Sequence, residues 1–117
     1  MESALICDKK LFSHIYELEK RRSDRDWHST FISQITINSE ISSEKRLEEA
    51  GQHLMDILKT KMRSGDVICR LEDEQYAIIL YDIDSNDAAT VMNRIFYYSD
   101  SGKNIDYELE IDYRKLA

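Results

Sequence analysis

Residues 63–80 constrain the fold of this chain more than any other stretch. Two short runs within it, 67–71 and 76–81, are rich in the β-branched and aromatic residues that favour strands. Only the four polar residues 72–75 separate the two runs, and a connection of that length joins antiparallel neighbours. The sequence therefore predicts a β-hairpin, which the chain enters through a sharp turn at Gly65.

The rest of the chain divides by the spacing of its apolar residues. Spacings of three and four residues predict helices, and strict alternation predicts strands. The predicted elements are a helix over 8–24, a strand over 27–37, a helix over 43–63, the hairpin, a helix capped by 84–87, a polar loop over 99–104 and a strand over 105–113. From residue 27 onward the predicted order is therefore β-α-β-β-α-β.

This order predicts an α+β, two-layer fold of the ferredoxin-like type. Each β-α-β crossover is long enough for a right-handed connection between parallel strands, and the hairpin is antiparallel. The expected result is an antiparallel four-stranded sheet with two helices on one face. The additional N-terminal helix is left to pack at an edge or on the other face. We expect one domain over 1–117, with its core over 27–116.

Residue spacing also predicts which helical faces are buried. In the first helix, Leu11, Ile15 and Leu18 recur at i, i+4 and i+7, with Phe12 beside them, and Asp8 is placed to cap the start. In the second helix, the central stripe contains Leu54 and Leu58, which we expect to face Ile78 or Ile79 of the hairpin.

The last predicted strand alternates strictly between apolar and acidic residues. One of its faces must be exposed to water, because unpaired carboxylates are costly to bury. The acidic face comprises Asp106, Glu108, Glu110 and Asp112.

Composition and charge exclude several classes of function. Hydrophobic residues make up 42% of the 117 and charged residues 33%, which is typical of a globular domain rather than a disordered chain. No apolar run reaches ~18 residues, so we expect no membrane span. The net charge of −7 repels phosphate backbones, so we expect no direct nucleic-acid binding. The first seven residues lack signal-peptide features, and we expect a cytoplasmic protein in which Cys7 and Cys69 are reduced.

The hairpin resembles the signature of GGDEF domains, the bacterial diguanylate cyclases, in which a Gly-Gly-Asp/Glu-Glu-Phe sequence forms the tip. Glu72 and Asp73 stand where the two glycines belong. Glu74 matches the acidic third position, Gln75 replaces the glutamate and Tyr76 replaces the phenylalanine. The resemblance implies the nucleotidyl-cyclase version of the predicted fold.

The same resemblance implies that catalysis is lost. In the family, an aspartate at the end of the first core strand binds magnesium together with the hairpin acid, and Thr36 occupies that position here. The segment 39–43 holds no counterpart of the family's two guanine contacts, and a final helix and strand of the family have no match. A hydroxyl is a poor substitute for a carboxylate as a magnesium ligand. The resemblance thus implies a degenerate domain that is not an enzyme and has no cofactor or metal.

The arrangement of motifs is most similar to the degenerate GGDEF-like domain at the C-terminal end of bacterial antibiotic-regulatory transcriptional activators. The similarity lies in residues 4–8, 12–22 and 63–70. It implies a signalling or transcription-regulation module that works by contact with a protein partner or by self-association.

Arg63 and Asp66 supply an alternative function. Their Arg-x-x-Asp spacing, just before the hairpin, is similar to the motif by which cyclases bind cyclic di-GMP at an inhibitory site. The arginine would contact a phosphate or a guanine edge, and the aspartate would accept guanine N–H groups. The structural alternative is that Arg63 caps the helix and Asp66 stabilises the turn. An active diguanylate cyclase is the third function considered.

Three other groups of residues are more simply explained by structure than by ligand binding. Residues 82–87 resemble a calcium loop but lack its required glycine, so we expect them to cap a helix. Glu49, His53 and Asp56 share a helical face but supply only three zinc ligands, so we expect a solvated face. The tyrosines, by contrast, suit either core packing or an aromatic contact surface. They are Tyr97, Tyr98, Tyr107 and Tyr113.

Overall fold

A computed structural model describes residues 4–23, 30–38, 44–100 and 107–116. Its elements are β1 (Leu5–Cys7), α1 (Lys9–Ser23), β2 (Thr30–Ile37), α2 (Glu44–Lys61), β3 (Val67–Glu72), β4 (Gln75–Tyr81), α3 (Ser85–Asp100) and β5 (Leu109–Lys115). From β2 onward the order confirms the predicted β-α-β-β-α-β pattern. The predicted strand starts at 27 and 105, and the segment 39–43, lie outside the described residues.

The five strands form one sheet in the order β1-β3-β4-β2-β5. β2 lies between β4 and β5 and is antiparallel to both, and β3 and β4 form the predicted hairpin. The last four strands therefore have the predicted ferredoxin-like arrangement. β1 was not predicted: it adds a fifth strand parallel to β3, and Leu5 N donates to Asp66 O at 2.9 Å. Three residues are too few to show an alternating pattern in the sequence.

The helices cover both faces of the sheet. α2 and α3 pack on one face, where Leu54 and Leu58 lie in the same core as Ile78, while Ile79 belongs to the opposite face. α1 covers that opposite face, where Phe12 packs in the second, smaller core. The sequence left open whether the N-terminal helix packs at an edge of the sheet or on the face opposite α2 and α3. In the structure it packs on that opposite face.

The predicted buried face of α1 is confirmed for Phe12 and Ile15, which pack in the second core, and is wrong for Leu11 and Leu18. Leu11 is 45% exposed and Leu18 is 56% exposed, while Phe12 is buried and Tyr16 is half-buried. The helix carries two adjacent stripes, and the one with two aromatic rings removes more apolar area from water. The predicted helix cap is confirmed, since Leu11 N donates to Asp8 Oδ1 at 2.8 Å.

The last two elements differ slightly from prediction. β5 extends to Lys115, and Glu108, Glu110 and Asp112 are exposed as expected. Ser99, predicted in a loop, lies in α3 and is 4% exposed, because its hydroxyl donates to Phe96 O at 2.8 Å within the last helical turn. Within the described ranges, no helix is long and apolar enough to cross a membrane.

Candidate functional site

The hairpin tip is a tight two-residue turn. β3 ends at Glu72 and β4 begins at Gln75, so these two residues pair, and only Asp73 and Glu74 form the turn itself. The register shifts between Arg70 and Glu72, which bends the strand just before the tip. The reversal is therefore shorter than the four polar residues suggested, because Glu72 and Gln75 belong to the strands.

Thr36 lies beside this tip. It is the register partner of Gln75 on one side and of Glu110 on the other, and Ile37 N donates to Glu74 O at 2.8 Å. The neighbours of Thr36 in β2, Ile35 and Ile37, point into the α2–α3 core, so Thr36 points to the opposite face. Thr36 thus presents a neutral hydroxyl, with the neutral amide of Gln75 beside it on β4 and the carboxylate of Glu110 beside it on β5.

Among the described residues, no three or more histidine, cysteine or acidic side chains come together as a metal-binding group. Magnesium binding by proteins depends on carboxylate oxygens in octahedral geometry. At the tip, Glu72 is already engaged, since it accepts from Lys9 Nζ at 2.8 Å in an exposed ion pair. The hydrogen bond and charge of Glu72 raise the pKa of Lys9. This pair connects the start of α1 to the hairpin.

A groove of about 280 Å³ separates the hairpin from the first turns of α2. Its lining residues are Glu44, Leu47, Glu48, Arg70 and Asp73. Three carboxylates face one guanidinium there, and Arg70 also donates to Asp73 O at 3.1 Å. The groove is therefore net negative and repels a triphosphate. No local pattern in the sequence indicates that Glu48 lies beside the hairpin, because their proximity depends on how α2 crosses the sheet.

Tyr76 is fully buried between the hairpin and α2. Its hydroxyl fits a notch in α2 made by Gly51, where an added Cβ would lie 2.5 Å from Tyr76 Oη. The hydroxyl has no hydrogen-bond partner among the described residues, although the Arg70 guanidinium lies 5.6 Å from the ring centroid. Burial raises the pKa of Tyr76, and the Arg70 charge opposes that rise. A glycine in the middle of a helix was the available sequence signal for this close approach.

Arg63 and Asp66 form an ion pair with each other. The Arg63 guanidinium donates to both Asp66 carboxylate oxygens at 3.3 Å and to Tyr81 O at 2.5 Å. Asp66, only 2% exposed, also accepts from the backbone N–H groups of Arg63, at 2.9 Å, and of Tyr81. Gly65, with a φ of +95°, provides the left-handed turn between them. The motif thus ties the end of α2 to the end of β4.

Several of the other candidate residues also have structural partners, while Glu49 is exposed. Asp87 N donates to Asp84 Oδ1 at 2.7 Å, which confirms that this segment caps α3. His53 is hydrogen-bonded to the Tyr107 hydroxyl, and Asp56 accepts from Gln52 at 2.9 Å.

The four tyrosines fall into different environments. Tyr107 is buried, and Lys61 Nζ lies 3.9 Å from the ring centroid of the half-buried Tyr98. Tyr97 is 66% exposed and Tyr113 is 41% exposed. Core packing is therefore confirmed for Tyr107, while an aromatic contact surface that includes Tyr97 and Tyr113 stays a prediction.

The two cysteines are register neighbours in the parallel pair β1–β3. Both are buried free thiols. Burial raises the pKa of Cys69 to about 11 and that of Cys7 in the same direction. The thiols are therefore protonated at neutral pH and weak nucleophiles. Because more than sixty residues separate the two cysteines, no local pattern indicates that they are neighbours in the sheet.

Residues 45–104 match the model of a family described as diguanylate cyclase, GGDEF domain. No curated protein is significantly similar to the whole chain. A DGC protein from Thermotoga maritima has a similar solved structure, with a TM-score of 0.80 at 21% identity over 94% of this chain and 81% of that one.

Two further solved structures are similar. The GGDEF domain of DgcB from Caulobacter crescentus, in complex with c-di-GMP, gives a TM-score of 0.76 at 9% identity over 94% of this chain and 72% of that one. Diguanylate cyclase SiaD from Pseudomonas aeruginosa, in complex with its activator SiaC, gives 0.75 at 13% identity over 92% of this chain and 46% of SiaD. At such identities the likeness establishes the fold alone.

Proposed function

This chain belongs to the GGDEF domain family, and we propose that it is a catalytically inactive member of the family. In this proposal the domain acts in regulation through contact with a protein. The observation that carries the proposal is the chemistry around Thr36. Forming a phosphodiester from GTP requires metal ions that neutralise the charge developing on the phosphates. Thr36 and its neighbour Gln75 are both neutral, so position 36 does not supply the acid that, in the family, holds such an ion together with the hairpin acid matched by Glu74.

The hairpin itself supports the same conclusion. Glycines at the tip would let a nucleotide approach the backbone closely, whereas Glu72 and Asp73 add side chains and negative charge. The groove beside the tip carries Glu44 and Glu48 in addition to Asp73, so an incoming triphosphate is repelled from both walls.

Protein contact is the mode of action that remains for such a domain. The net charge of −7 disfavours nucleic acid, and the solved SiaD structure contains a protein activator. The similarity of residues 4–8, 12–22 and 63–70 to antibiotic-regulatory activators supports a role for the domain in a cytoplasmic bacterial signalling or transcription regulator. In this proposal the fold is retained as a rigid surface, while its chemistry is lost.

The enzymatic part of the proposal is tested by incubating the purified chain with GTP and magnesium. We expect no cyclic di-GMP by chromatography. Product that disappears in Glu74→Ala, but persists in the matched variant Glu49→Ala on α2, would establish a working cyclase instead.

A cyclic di-GMP receptor that uses Arg63 and Asp66 is the second candidate function. One observation favours it: the Arg63 side chain is 51% exposed, so part of the guanidinium is open to solvent. Against it, the same guanidinium already has three acceptor atoms on Asp66 and Tyr81. Calorimetry should detect no binding at micromolar ligand. Tight binding that is weakened by Arg63→Ala, and not by Arg94→Ala on α3, would make the chain a receptor.

A further inference from the structure

β5 is a long and regular edge strand. The sheet order ends at β5, and its seven residues keep unbroken register with β2 from Phe31–Lys115 to Ile37–Leu109. The opposite edge, β1, has only three residues. Proteins protect sheet edges by shortening or bulging them, with proline, or with charged side chains. The described part of β5 has only the charged side chains, so it offers a template for a strand whose charges complement them.

The backbone groups that face outward from β5 belong to alternate residues. Asn38 N donates to Glu108 O, and Leu116 N donates to Thr30 O, both at 2.8 Å. Since an antiparallel ladder alternates, the even-numbered residues of β5 bond to β2. The N–H and C=O groups of residues 109, 111, 113 and 115 consequently point away from the sheet.

The charges along β5 select one way of pairing with a second copy. When two identical strands pair antiparallel about a two-fold axis, directly opposite residues have their side chains on the same face of the sheet. Each possible register therefore places one residue opposite its own copy on the axis, and that residue is the centre of the register. A centre at residue 110, 112 or 114 places like charges opposite themselves, and a centre at 111 places Glu110 opposite Asp112. A centre at Tyr113 instead places Asp112 opposite Arg114 twice and creates no like-charge pair.

The same register suits the remaining side chains. Tyr113 is 41% exposed, with its ring 6.5 Å from Phe31, and it would meet its own copy across the axis. Lys115 would lie opposite the half-buried Ile111, over which its aliphatic stem can pack. In α3, which contacts β5, Phe96 is 40% exposed and adds apolar surface on that helix.

We propose that this chain forms a homodimer by antiparallel pairing of β5 with β5 of a second copy, centred on Tyr113. The pairing extends the five-stranded sheet into a continuous ten-stranded one. Asp112 and Arg114 are both exposed, and Arg114 Nη2 donates to the Tyr16 hydroxyl at 3.0 Å, which holds the guanidinium on the face it shares with Asp112. The inference rests on the proposed function, which is regulation through protein contact, and it names a second copy of the chain as the partner.

The test is a concentration series by sedimentation velocity with charge-reversal variants. Wild-type chain should shift from monomer to dimer as concentration rises. Asp112→Arg and Arg114→Asp should each weaken dimerisation by about tenfold or more, because each turns two attractive pairs into repulsive ones. The double variant should recover the wild-type dissociation constant, and an equimolar mixture of the two single variants should form heterodimers. Glu108→Arg is the matched control, since in this register its opposite position lies outside β5 of the second copy, which ends at Lys115.

Three outcomes would overturn the inference. They are a wild-type chain that stays monomeric up to millimolar concentration, single variants that dimerise as well as wild type, and a Glu108→Arg control that weakens association as much as Asp112→Arg. The substituted side chains are exposed, so circular dichroism should show native folding throughout. A monomeric chain that makes no cyclic di-GMP would refute only the dimer, and a dimeric chain that makes it would refute only the proposed inactivity.

Discussion

Replacing Gly51 by alanine should destabilise this protein, although the same change stabilises most helices. Alanine in a helix interior is favoured over glycine by about 0.5–1 kcal/mol. Here, the added Cβ would lie 2.5 Å from Tyr76 Oη, and the Tyr76 ring is fully buried and has no room to retreat. Overpacking of this kind costs about 1–3 kcal/mol. We therefore expect Gly51→Ala to lower the free energy of unfolding by about 1–2 kcal/mol.

Removing the Tyr76 hydroxyl should reverse the sign of that effect. Tyr76→Phe deletes a buried group that has no hydrogen-bond partner among the described residues, so this change alone should be neutral or stabilising, by up to about 2 kcal/mol. In that background the nearest atom to the new Cβ is Arg70 Nη2, 3.1 Å away, at the end of a flexible and partly exposed side chain. Gly51→Ala should then stabilise by about 0.5–1 kcal/mol.

Urea unfolding of the four proteins, followed by circular dichroism, measures this cycle. The two effects of Gly51→Ala should differ between backgrounds by about 2 kcal/mol, within the range for residues in contact. Equal effects in both backgrounds would refute the argued contact between Gly51 and the hydroxyl. Stabilisation of the wild-type background by alanine would refute the notch itself.

Three further predictions concern stability. Leu54→Ala should lower the free energy of unfolding by about 2–5 kcal/mol and shift the urea midpoint sharply, while the exposed Glu110→Gln should stay within about 0.5 kcal/mol; similar midpoints would contradict the core assignment. Asp84→Ala should cost about 1 kcal/mol through loss of the α3 cap, and an unchanged midpoint would argue against that cap. Folding raises the pKa of Cys69 from 9.0 to about 11 and that of Tyr81 from 10.0 to about 12, so stability should be full below pH 9 and decline as both groups lose protons up to pH 12. Urea midpoints measured from pH 8 to 12 should fall less steeply in Tyr81→Phe, and a flat profile for wild type would contradict both shifts.

The sequence by itself determined the order and type of the main elements. Alternation and helical spacing are local properties, so the hairpin, the three helices and the acidic face of β5 followed from residues close together in the chain. The cap at Asp8 and the turn at Gly65 followed for the same reason, because each depends on one residue and its immediate neighbours.

The tertiary structure alone decided how those elements meet. The buried stripe of α1 depends on which side chains the sheet accepts, and the aromatic stripe of Phe12 displaced the one that contains Leu11. β1 exists because β3 offers it an edge, and the groove beside Arg70 exists because α2 crosses the hairpin there. Likewise, Arg63 has the spacing of a ligand motif in the sequence and is an internal tie in the fold, since Tyr81 lies eighteen residues away. Such contacts join distant parts of the chain, and no pattern within one segment encodes them.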